Sequence, residues 1–402
     1  MKNVAWNKVK VGSLCTRVTS GGTPKSTNAE YYDNGKIPWL NSKEVNFSHI
    51  YSTEKFITEK GLAESSAKWI EKNSVIVAMY GATAGQVAIA KIPLTTNQAC
   101  CNLTIDDKLA DYRYVYYYLW NQYQVLSGLA NGGAQQNLNA QIIKEFEIQL
   151  PELSVQKSIS EILFSLDEQI RINNTINHNL EEQAKAIFKS WFVDFEPFQN
   201  GKFVDSELGK IPEGWRVGTL NEIADITMGQ SPQGASYNEN AVGTVFYQGR
   251  AEFTDRFPSR RLFTTEPKRM ANAGDVLLSV RAPVGDLNIA NEPCCIGRGL
   301  AAIHAKNGFA SFIFYTMQAL KTELEKYNGE GTVFGCINKD SLSSQKVIIP
   351  PRNIIADFES IASSLDCQYF VDFNENIHLA QLRDTLLPKL MSGEIDVSEV
   401  EI

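Results

Sequence analysis

The stretch MYGATAGQVAIA, residues 79–90, has the glycine content of a loop that binds phosphate. Gly81 and Gly85 would supply backbone N–H groups, but such a loop also needs a Lys for the phosphates and a Ser or Thr for the metal. Gln86 and Val87 follow Gly85 instead, and the residues beyond them alternate like a strand and do not begin a helix. We therefore do not interpret the stretch as a nucleotide site.

Other catalytic motifs are missing from the sequence as well. It contains no Asn/Asp-Pro-Pro-Tyr/Phe tetrapeptide for methyl transfer, no Lys-Ser/Thr phosphate loop and no His-x-x-x-His metal pair. The four histidines are scattered, and the adjacent pairs Cys100-Cys101 and Cys294-Cys295 lack the spacing of a zinc site. We expect buried strand thiols in a reducing compartment, no metal site, and a chain that is not an enzyme by itself.

The glycine-containing stretch is one copy of an internal repeat. Gly85, Ile89 and Ala90 recur 200 positions later in SVRAPVGDLNIA, residues 279–290. WNKVKVGSLCTRVTSGGTP, from residue 6, matches WRVGTLNEIADITMGQSP, from residue 215, and NLNAQIIKEFEIQLP matches CINKDSLSSQKVIIP. A period of about 200 residues is far longer than a solenoid repeat, so the pattern predicts a duplicated domain.

A helical segment follows each copy of the repeat. In the first segment, residues seven apart form two rows, which are Ile159, Leu166, Asn173, Leu180 and Ile187, and then Leu163, Ile170, Asn177, Ala184 and Trp191. In the second segment the row is Phe358, Leu365, Asp372, Leu379 and Leu386, flanked by Ile361 and Leu382. A period of 3.5 residues is typical of a long helix packed along another helix. We expect an antiparallel coiled coil of two long helices.

The middle of each helical segment is polar, at Asn173 and Asn177 and at Asp372 and Asn376. Buried there, these side chains would fix the register of the two helices; alternatively, they face solvent where the helices diverge. About 37 residues at about 1.5 Å per residue make a rod of about 55 Å. At about 3.4 Å per base pair, that length corresponds to at most about 16 base pairs.

Composition and charge narrow the class of protein. The chain has 402 residues, of which 43% are hydrophobic and 21% charged, which is typical of a soluble protein of two or three domains. It has no apolar run of membrane-spanning length, and MKNVAWNKVK lacks a signal-peptide core, so we expect a cytoplasmic protein. The net charge of −8 is uneven: residues 1–150 carry +3, 151–200 carry −4, 201–349 carry 0 and 350–402 carry −7. The helical segments are thus too acidic to lie on phosphates and suit protein partners.

The predicted fold class is α+β, with a pseudo-twofold internal repeat of two homologous mixed α/β domains separated by the two helices. Strand-like runs include residues 74–79, 86–90, 276–280 and 287–290, and helix-like runs include 112–126 and 310–327. The predicted organisation is a first domain at 1–150, a first long helix at 151–198, a linker at 199–214, a second domain at 215–349, and a second long helix with a tail at 350–402.

Several stretches resemble the specificity subunit of Type I restriction–modification enzymes. They are SWFVDFEPF (190–198), SELGKIPEGWRVGTL (206–220), GDVLLSVRAPVGDLNIA with CCIGRGLAAI (274–303) and LLPKLMSGEIDV (386–397). The resemblance implies that each large domain is a target recognition domain for one half of a bipartite DNA sequence. It also implies that the helices set the gap between half-sites and dock two methyltransferase subunits. S-adenosylmethionine, ATP and magnesium would then belong to the methyltransferase and restriction/translocase subunits, and no cofactor to this chain.

Two alternatives remain open at this point. One is a coiled-coil assembly scaffold that does not itself recognise DNA. The other is a pair of small-molecule transferase domains, which the missing catalytic residues disfavour.

Candidate DNA contacts follow from side-chain chemistry, because Arg, Asn and Gln form bidentate hydrogen bonds with base edges and Lys, Arg and hydroxyls bind phosphates. In the second domain Gln248 and Arg250 flank a glycine, and the basic stretch that they begin also contains Arg256, Arg260, Arg261, Lys268 and Arg269. Arg281 and Arg298 lie in the stretches that resemble the family, and Arg281 would equally suit a structural ion pair.

In the first domain the matching stretch PWLNSKEVNF contains Asn41, Ser42 and Lys43. SGGTPKSTN, which resembles a glycine-rich loop that the family places near DNA, adds Thr23, Lys25 and Asn28. Tyr80, Thr83, Gln135 and Gln136 lie in other predicted loops and complete the candidate set.

Overall fold

The computed structural model describes residues 6–131, 138–329 and 335–397. It divides into two compact units. Unit 1 consists of Met1–Asn173 with Asn374–Ile402, and unit 2 consists of Asn174–Phe373.

Unit 1 is a mixed α/β structure. Its strands are β1 Asn7–Lys10, β2 Cys15–Ser20, β3 Ile37–Leu40, β4 Ser48–Ile50, β5 Lys55–Ile57, β6 Trp69–Ile70, β7 Val75–Ala78, β8 Val87–Ala90, β9 Leu94–Thr96, β10 Cys100–Ile105 and β11 Glu147–Leu150. Its helices are α1 Glu59–Ala63, α2 Tyr112–Asn121, α3 Tyr123–Asn131, α4 Ala140–Glu145 and the start of α5 Leu153–Phe192. Single 3-10 turns occupy Val11–Leu14, Ala29–Tyr31, Ser42–Glu44 and Gly81–Thr83.

The central sheet of unit 1 has five strands in the order β2-β10-β7-β8-β4, and a second sheet has the order β5-β3-β9-β6. Strand β7 reads VIVA because both faces of the central sheet are buried. Val75 and Val77 pack in the cluster that contains α2, whereas Ile76 and Ala78 pack in the cluster on the other face. The predicted strands in this region are thus confirmed, to within two residues at each end.

Unit 2 contains the second copy of this arrangement. Its strands are β12 Phe203–Ser206, β13 Gly209–Pro212, β14 Arg216–Thr219, β15 Ala224–Met228, β16 Tyr237–Asn238, β17 Thr244–Tyr247, β18 Phe263–Thr264, β19 Met270–Ala271, β20 Val276–Ser279, β21 Leu287–Ile289, β22 Cys294–Ile296, β23 Leu300–Ala305 and β24 Lys346–Ile349. Its helices are α6 Leu220–Ile223, α7 Ala310–Ala319, α8 Lys321–Glu325, α9 Lys339–Ser343 and the start of α10 Arg352–Met391. Its 3-10 turns are Glu196–Phe198, Gly234–Ser236, Arg250–Glu252 and Lys326–Asn328.

The strand pairings of the two units correspond. Unit 2 has sheets in the orders β15-β23-β20-β21 and β16-β18-β17-β22-β19, and its parallel pair β17 with β22 corresponds to β3 with β9 of unit 1. Unit 1 has a further parallel pair, β4 with β8. Asn139 and Asn338, matched in sequence, each cap a short helix by accepting a backbone N–H three residues later, at 2.9 and 2.8 Å. The predicted internal repeat is confirmed.

The two predicted long helices are present as α5 and α10, each of 40 residues. In unit 1 the first half of α5 contacts the second half of α10, where Arg383 Nη1 lies 2.8 Å from Asp167 Oδ1. In unit 2 the second half of α5 contacts the first half of α10, and the ring centroids of Phe188 and Phe358 are 5.7 Å apart.

The polar residues in the middle of the helices are mostly buried. Asn173, Asn177 and Asp372 have at most 5% of their surface exposed, so the alternative that they face solvent is wrong. In unit 1 the Asn173 side-chain amide donates to Glu375 Oε2 at 2.8 Å and to Asn376 Oδ1 at 3.0 Å. Such directional bonds hold one register between helices.

The second apolar row of α10 corrects the sequence interpretation. Ile361 and Leu382 are 40% and 48% exposed, whereas Ala362 and Leu390 are buried. The second apolar row of α10 therefore runs four residues after the first row, as it does in α5, and not three. The predicted linker at 199–214 contains an antiparallel hairpin of β12 and β13.

Candidate nucleic-acid interface

Four loops of unit 1 meet at one end of its sheets. Backbone hydrogen bonds join Gly22 N to Thr96 O at 2.8 Å, Asn97 N to Leu40 O at 2.9 Å and Met79 N to Ala99 O at 2.7 Å. The Thr83 hydroxyl donates to Ser42 O at 3.0 Å, which connects the loop at 80–86 with the loop at 41–43. We call residues 21–25, 41–43, 80–86 and 97–99 the loop cluster of unit 1.

This cluster brings together several side chains that were predicted separately. Thr23 donates through Oγ1 to Gln98 Oε1, and Asn41 caps a 3-10 turn by accepting from Lys43 N at 3.2 Å. Lys43 is half-exposed and pairs with Glu54 at 2.5 Å, a contact that raises the pKa of Lys43. Tyr80 is exposed and Thr83 is partly buried. The cluster therefore presents hydroxyl, amide and ammonium groups to solvent.

The equivalent loops of unit 2 meet in the same way. Gly229 N donates to Leu300 O at 2.9 Å, Gly297 N to Tyr247 O at 2.8 Å and Val280 N to Gly299 O at 2.9 Å. We call residues 229–233, 248–250, 280–286 and 297–299 the loop cluster of unit 2. The close approach requires glycine, because a Cβ on Gly297 would lie 2.8 Å from Gln248 O.

The loop cluster of unit 2 is more cationic. Gln248, Arg281 and Arg298 are exposed, and the backbone N–H of Arg298 donates to Ser231 Oγ at 3.2 Å. Arg250 is half-exposed and forms an ion pair with Asp286. Within the residues that the structure describes, Arg281 and Arg298 form no ion pair. The alternative of a structural ion pair for Arg281 therefore has no support there.

Strand registers make five positions of the two clusters equivalent. The pair Leu40–Thr96 in unit 1 corresponds to Tyr247–Ile296 in unit 2. In the same way, Ser20–Cys101 corresponds to Met228–Ala301. The third correspondence is that of Ala78–Cys100 with Ser279–Leu300. Counting outward from these residues pairs Thr23 with Ser231, Asn41 with Gln248, Lys43 with Arg250, Tyr80 with Arg281 and Gln98 with Arg298. The scaffold is the same in both units, but the side chains differ at every one of these positions.

The basic stretch of unit 2 does not form one surface, and one of its members is corrected. Arg256 is buried, with 1% of its side chain exposed, and forms an ion pair with Asp366 on α10, so it is not available to DNA. Arg260 pairs with Glu292, and Arg261 pairs with Glu252 and, at 3.8 Å, with Glu239. Lys268 and Arg269 are exposed beside the end of β22 that leads into the loop cluster. The dense run of basic residues is thus divided between the core, the surface ion pairs and the loop cluster.

Of the other candidates in unit 1, Lys25 is exposed, and Asn28 is half-buried and caps the turn Ala29–Tyr31. Gln135 and Gln136 lie outside the described residues. Gln98 and Ser231 were not predicted, although each is the counterpart of a predicted residue, Gln98 of Arg298 and Ser231 of Thr23. The 200-residue offset of the repeat, applied to Arg298, would have identified Gln98.

No group of three or more His, Cys, Asp or Glu residues that would hold a metal ion occurs in the described part of the chain. Across residues 6–131, 138–329 and 335–397, no helix is both long enough and apolar enough to cross a membrane.

The strand that follows the Asn41–Lys43 loop carries His49, a buried histidine stacked on Phe164 of α5. Burial lowers the pKa of His49. The charge of Lys91 lowers this pKa further, whereas the charges of Asp167 and Glu168 raise it. Because the folded state then binds fewer protons than the unfolded chain, this contribution to stability is complete above about pH 6.5 and is lost as the pH falls.

We expect unit 1 to lose stability between pH 7.5 and 5.5, through His49 by at most about 1.4 kcal/mol per pH unit. The free energy of unfolding, measured by hydrogen exchange on peptides of unit 1, should depend less on pH in His49→Gln. Equal slopes for the two proteins would contradict the assignment to His49.

Comparison with known proteins gives consistent matches along the chain. The family model of the Type I restriction modification DNA specificity domain matches residues 3–182 and 212–366. The chain is 30% identical over 418 residues to the Type I restriction enzyme MjaIX specificity subunit of Methanocaldococcus jannaschii, covering 98% of this chain and 94% of that protein. It is 27% identical over 176 residues to the EcoR124I/EcoR124II specificity subunit of Escherichia coli, covering 42% and 43%. The fold resembles the crystal structure of a Type-I restriction-modification system S subunit from M. genitalium, with a TM-score of 0.63, 20% identity and 97% of each chain covered.

Proposed function

The chain belongs to the Type I restriction modification DNA specificity family, and we propose that each unit recognises one half of a bipartite double-stranded DNA site through its loop cluster. The observation that carries the proposal is the set of five equivalent positions, occupied by Thr, Asn, Lys, Tyr and Gln in unit 1 and by Ser, Gln, Arg, Arg and Arg in unit 2. Duplicated scaffolds with different polar side chains suit two different half-sites.

The chemistry of these positions suits contacts with base edges and phosphates. Amides at Asn41, Gln98 and Gln248 can form bidentate hydrogen bonds with adenine, and the guanidinium groups of Arg281 and Arg298 can do so with guanine. The Thr23 hydroxyl bonds to the side chain of Gln98, and the Ser231 hydroxyl bonds to the backbone N–H of Arg298. These bonds fix Gln98 and Arg298 at defined points of their loops. The proposed DNA contacts are the predicted candidates without Arg256, which is buried, and without Arg260 and Arg261, which pair with Glu292 and Glu252; Gln98 and Ser231 are added.

We further propose that α5 and α10 form an antiparallel coiled coil that sets the distance between the half-sites. The contacts of opposite helix ends within each unit support this arrangement. Forty residues correspond to about 60 Å, or about 18 base pairs of B-form DNA as an upper bound. In this proposal residues 1–150 and 215–349 are the target recognition domains, and 151–198 and 350–402 are the spacer segments.

The acidic spacer segments are proposed to dock two methyltransferase subunits, to which restriction/translocase subunits add. The chain itself is then a non-catalytic subunit, and S-adenosylmethionine, ATP and magnesium belong to its partners. A coiled-coil scaffold that does not recognise DNA is less well supported, because such a scaffold has no need for different polar side chains at equivalent loop positions.

Arg298→Ala should weaken binding to the cognate duplex by about 1–3 kcal/mol more than binding to a random duplex. The reason is that Arg298 is exposed within the loop cluster and has no ion-pair partner among the described residues. Arg260→Ala removes an equal charge at the opposite end of β22, where Glu292 neutralises it, and should change both affinities little. Titration of the full-length chain with its partner subunits, at one fixed salt concentration, measures the difference. The same loss on both duplexes would make Arg298 a phosphate contact only.

Replacing residues 1–150 with another recognition domain should change one half of the methylated DNA target and leave the other half intact. The half-sites are separable because each loop cluster is contained within one unit. Methylome sequencing of the host, with and without the chain and with the hybrid, measures this directly. Changes in both halves would refute modular recognition, and methylation that does not depend on the chain would favour the scaffold.

A further inference from the structure

The loop that carries Gln248 and Arg250 ends on a long helix of its own unit. Six residues after Arg250, the Arg256 side chain is buried against α10, with Nη2 on Asp366 Oδ1 and both Nη atoms 3.4 Å from Tyr315 Oη. Its guanidinium carbon also lies 4.5 Å from the ring centroid of Phe314 and 4.8 Å from that of Tyr369. The next residue, Phe257, has its ring centroid 4.8 Å from that of Phe373 on α10. The far end of the loop is thus held by charge and by aromatic packing.

Hydrogen bonds stiffen the loop between its two ends. Asn288 of β21 accepts from Thr254 N at 3.1 Å and donates to Thr254 O at 2.8 Å. Ile289 N donates to Arg256 O at 2.8 Å, and Arg250 pairs with Asp286, which precedes the same strand. Because these bonds tie the loop to one strand at both ends, a displacement of Arg256 is transmitted toward Arg250.

Unit 1 contains a similar cluster with one difference. Asp167, which is 199 residues before Asp366, accepts from the Tyr117 hydroxyl at 2.6 Å and from Arg383 Nη1 at 2.8 Å. Arg383 lies 4.4 Å from the ring centroid of Trp120. This arginine comes from α10, however, and not from the loop that carries Asn41 and Lys43. The buried Asp–Tyr–Arg arrangement is therefore shared, but among the described residues its arginine comes from a recognition loop in unit 2 and from α10 in unit 1.

We propose that Asp366, acting through Arg256, is a positioning residue for DNA recognition by unit 2: it anchors the loop so that Gln248 and Arg250 stand at a defined depth toward the bases. This inference rests on the proposed function. Removal of the carboxylate leaves a buried guanidinium without its ion-pair partner, a state costly enough that the arginine and its loop must move outward. Recognition by unit 1 does not depend on Asp366.

The test is selection from a randomised 40-base-pair duplex pool with the full-length chain bound to its partner subunits. Bound DNA is sequenced for the wild type, Asp366→Asn, Asp167→Asn and the conservative Asp366→Glu. Asp366→Asn should reduce discrimination on the order of tenfold at one half-site and leave the other unchanged. Asp366→Glu, which keeps the negative charge, should retain most of the wild-type discrimination at that half-site.

Asp167→Asn is the matched control, because it disrupts an equivalent buried cluster whose arginine, Arg383, comes from α10 and not from a recognition loop. It should lower the melting temperature to a similar extent but leave both half-sites intact. The anchor is refuted if Asp366→Asn changes both half-sites or neither, or if Asp167→Asn erases a half-site equally. If the wild type itself enriches no bipartite sequence, the proposed function is refuted, and the anchor role of Asp366 is refuted with it.

Discussion

Replacing Gly229 with alanine is expected to abolish recognition of one half-site, lowering discrimination there on the order of 100-fold, as two base contacts of about 1–3 kcal/mol each are lost. A Cβ at this position would lie 2.1 Å from Gly297 O and 2.9 Å from Ile296 O. Both are backbone atoms, so the loops must separate. Separation breaks the hydrogen bonds of Gly229 N with Leu300 O and of Arg298 N with Ser231 Oγ. Sequencing of DNA bound by the intact complex measures the loss.

Gly234→Ala is the matched control for this substitution. It lies in the turn that follows the same loop, has no atom within 4 Å of its ideal Cβ, and does not adopt a positive φ. We expect wild-type recognition from it. Gly21→Ala, where the Cβ would lie 2.1 Å from Thr96 O, should erase the other half-site instead. Equal effects of all three substitutions would contradict the role of close loop packing.

Phe358→Ala is expected to produce the largest loss of stability, about 3–5 kcal/mol in unit 2. The side chain is fully buried, and its ring centroid lies 5.1 Å from that of Phe192 and 5.7 Å from that of Phe188, both on α5. It also packs against Phe312 of α7. One residue thus joins both long helices to the α/β part of the unit, and its removal leaves a cavity among all three.

Ile361→Ala, one turn further along α10, is the control for Phe358→Ala. Ile361 is 40% exposed, so its truncation should change the free energy of unfolding by less than about 1 kcal/mol. Hydrogen exchange on peptides of unit 2 distinguishes the two variants without assuming that the whole chain unfolds in one step. Similar protection in both variants would mean that the aromatic cluster is not what holds the helices to the unit.

The repeat and the long helices were predictable because both depend on local periodicity. Gly85 and Gly285 recur at equivalent places in the chain, and residues such as Ile159 and Leu163 repeat at the helical period. The exposure of Ile361 was not predictable from periodicity. Apolar residues three and four positions apart both lie near the same helix face, and only the packed partner decides which of them is buried.

The candidate site was predictable in part. Gln248 with Arg250, and Asn41 with Lys43, were chosen for their side-chain chemistry, and the structure places these two pairs at equivalent positions. Arg256 and Arg261, by contrast, belong to one basic stretch in the sequence, yet one is buried and the other pairs with Glu252 on the surface. The partner of Arg256 lies 110 residues away along the chain, and the partner of Arg261 lies 9 residues away. Composition alone does not distinguish these two environments.

The sequence by itself thus determined the duplication, the two long helices and the chemical types available to contact DNA, because these follow from the order and period of residues along the chain. Only the tertiary structure decided which polar groups share a surface. Strand register brings Thr23 to Gln98 and Ser231 to Arg298, and burial removes Arg256 from the surface. Hydrogen bonding and desolvation act between residues that are close in space, and their separation along the chain does not reveal that closeness.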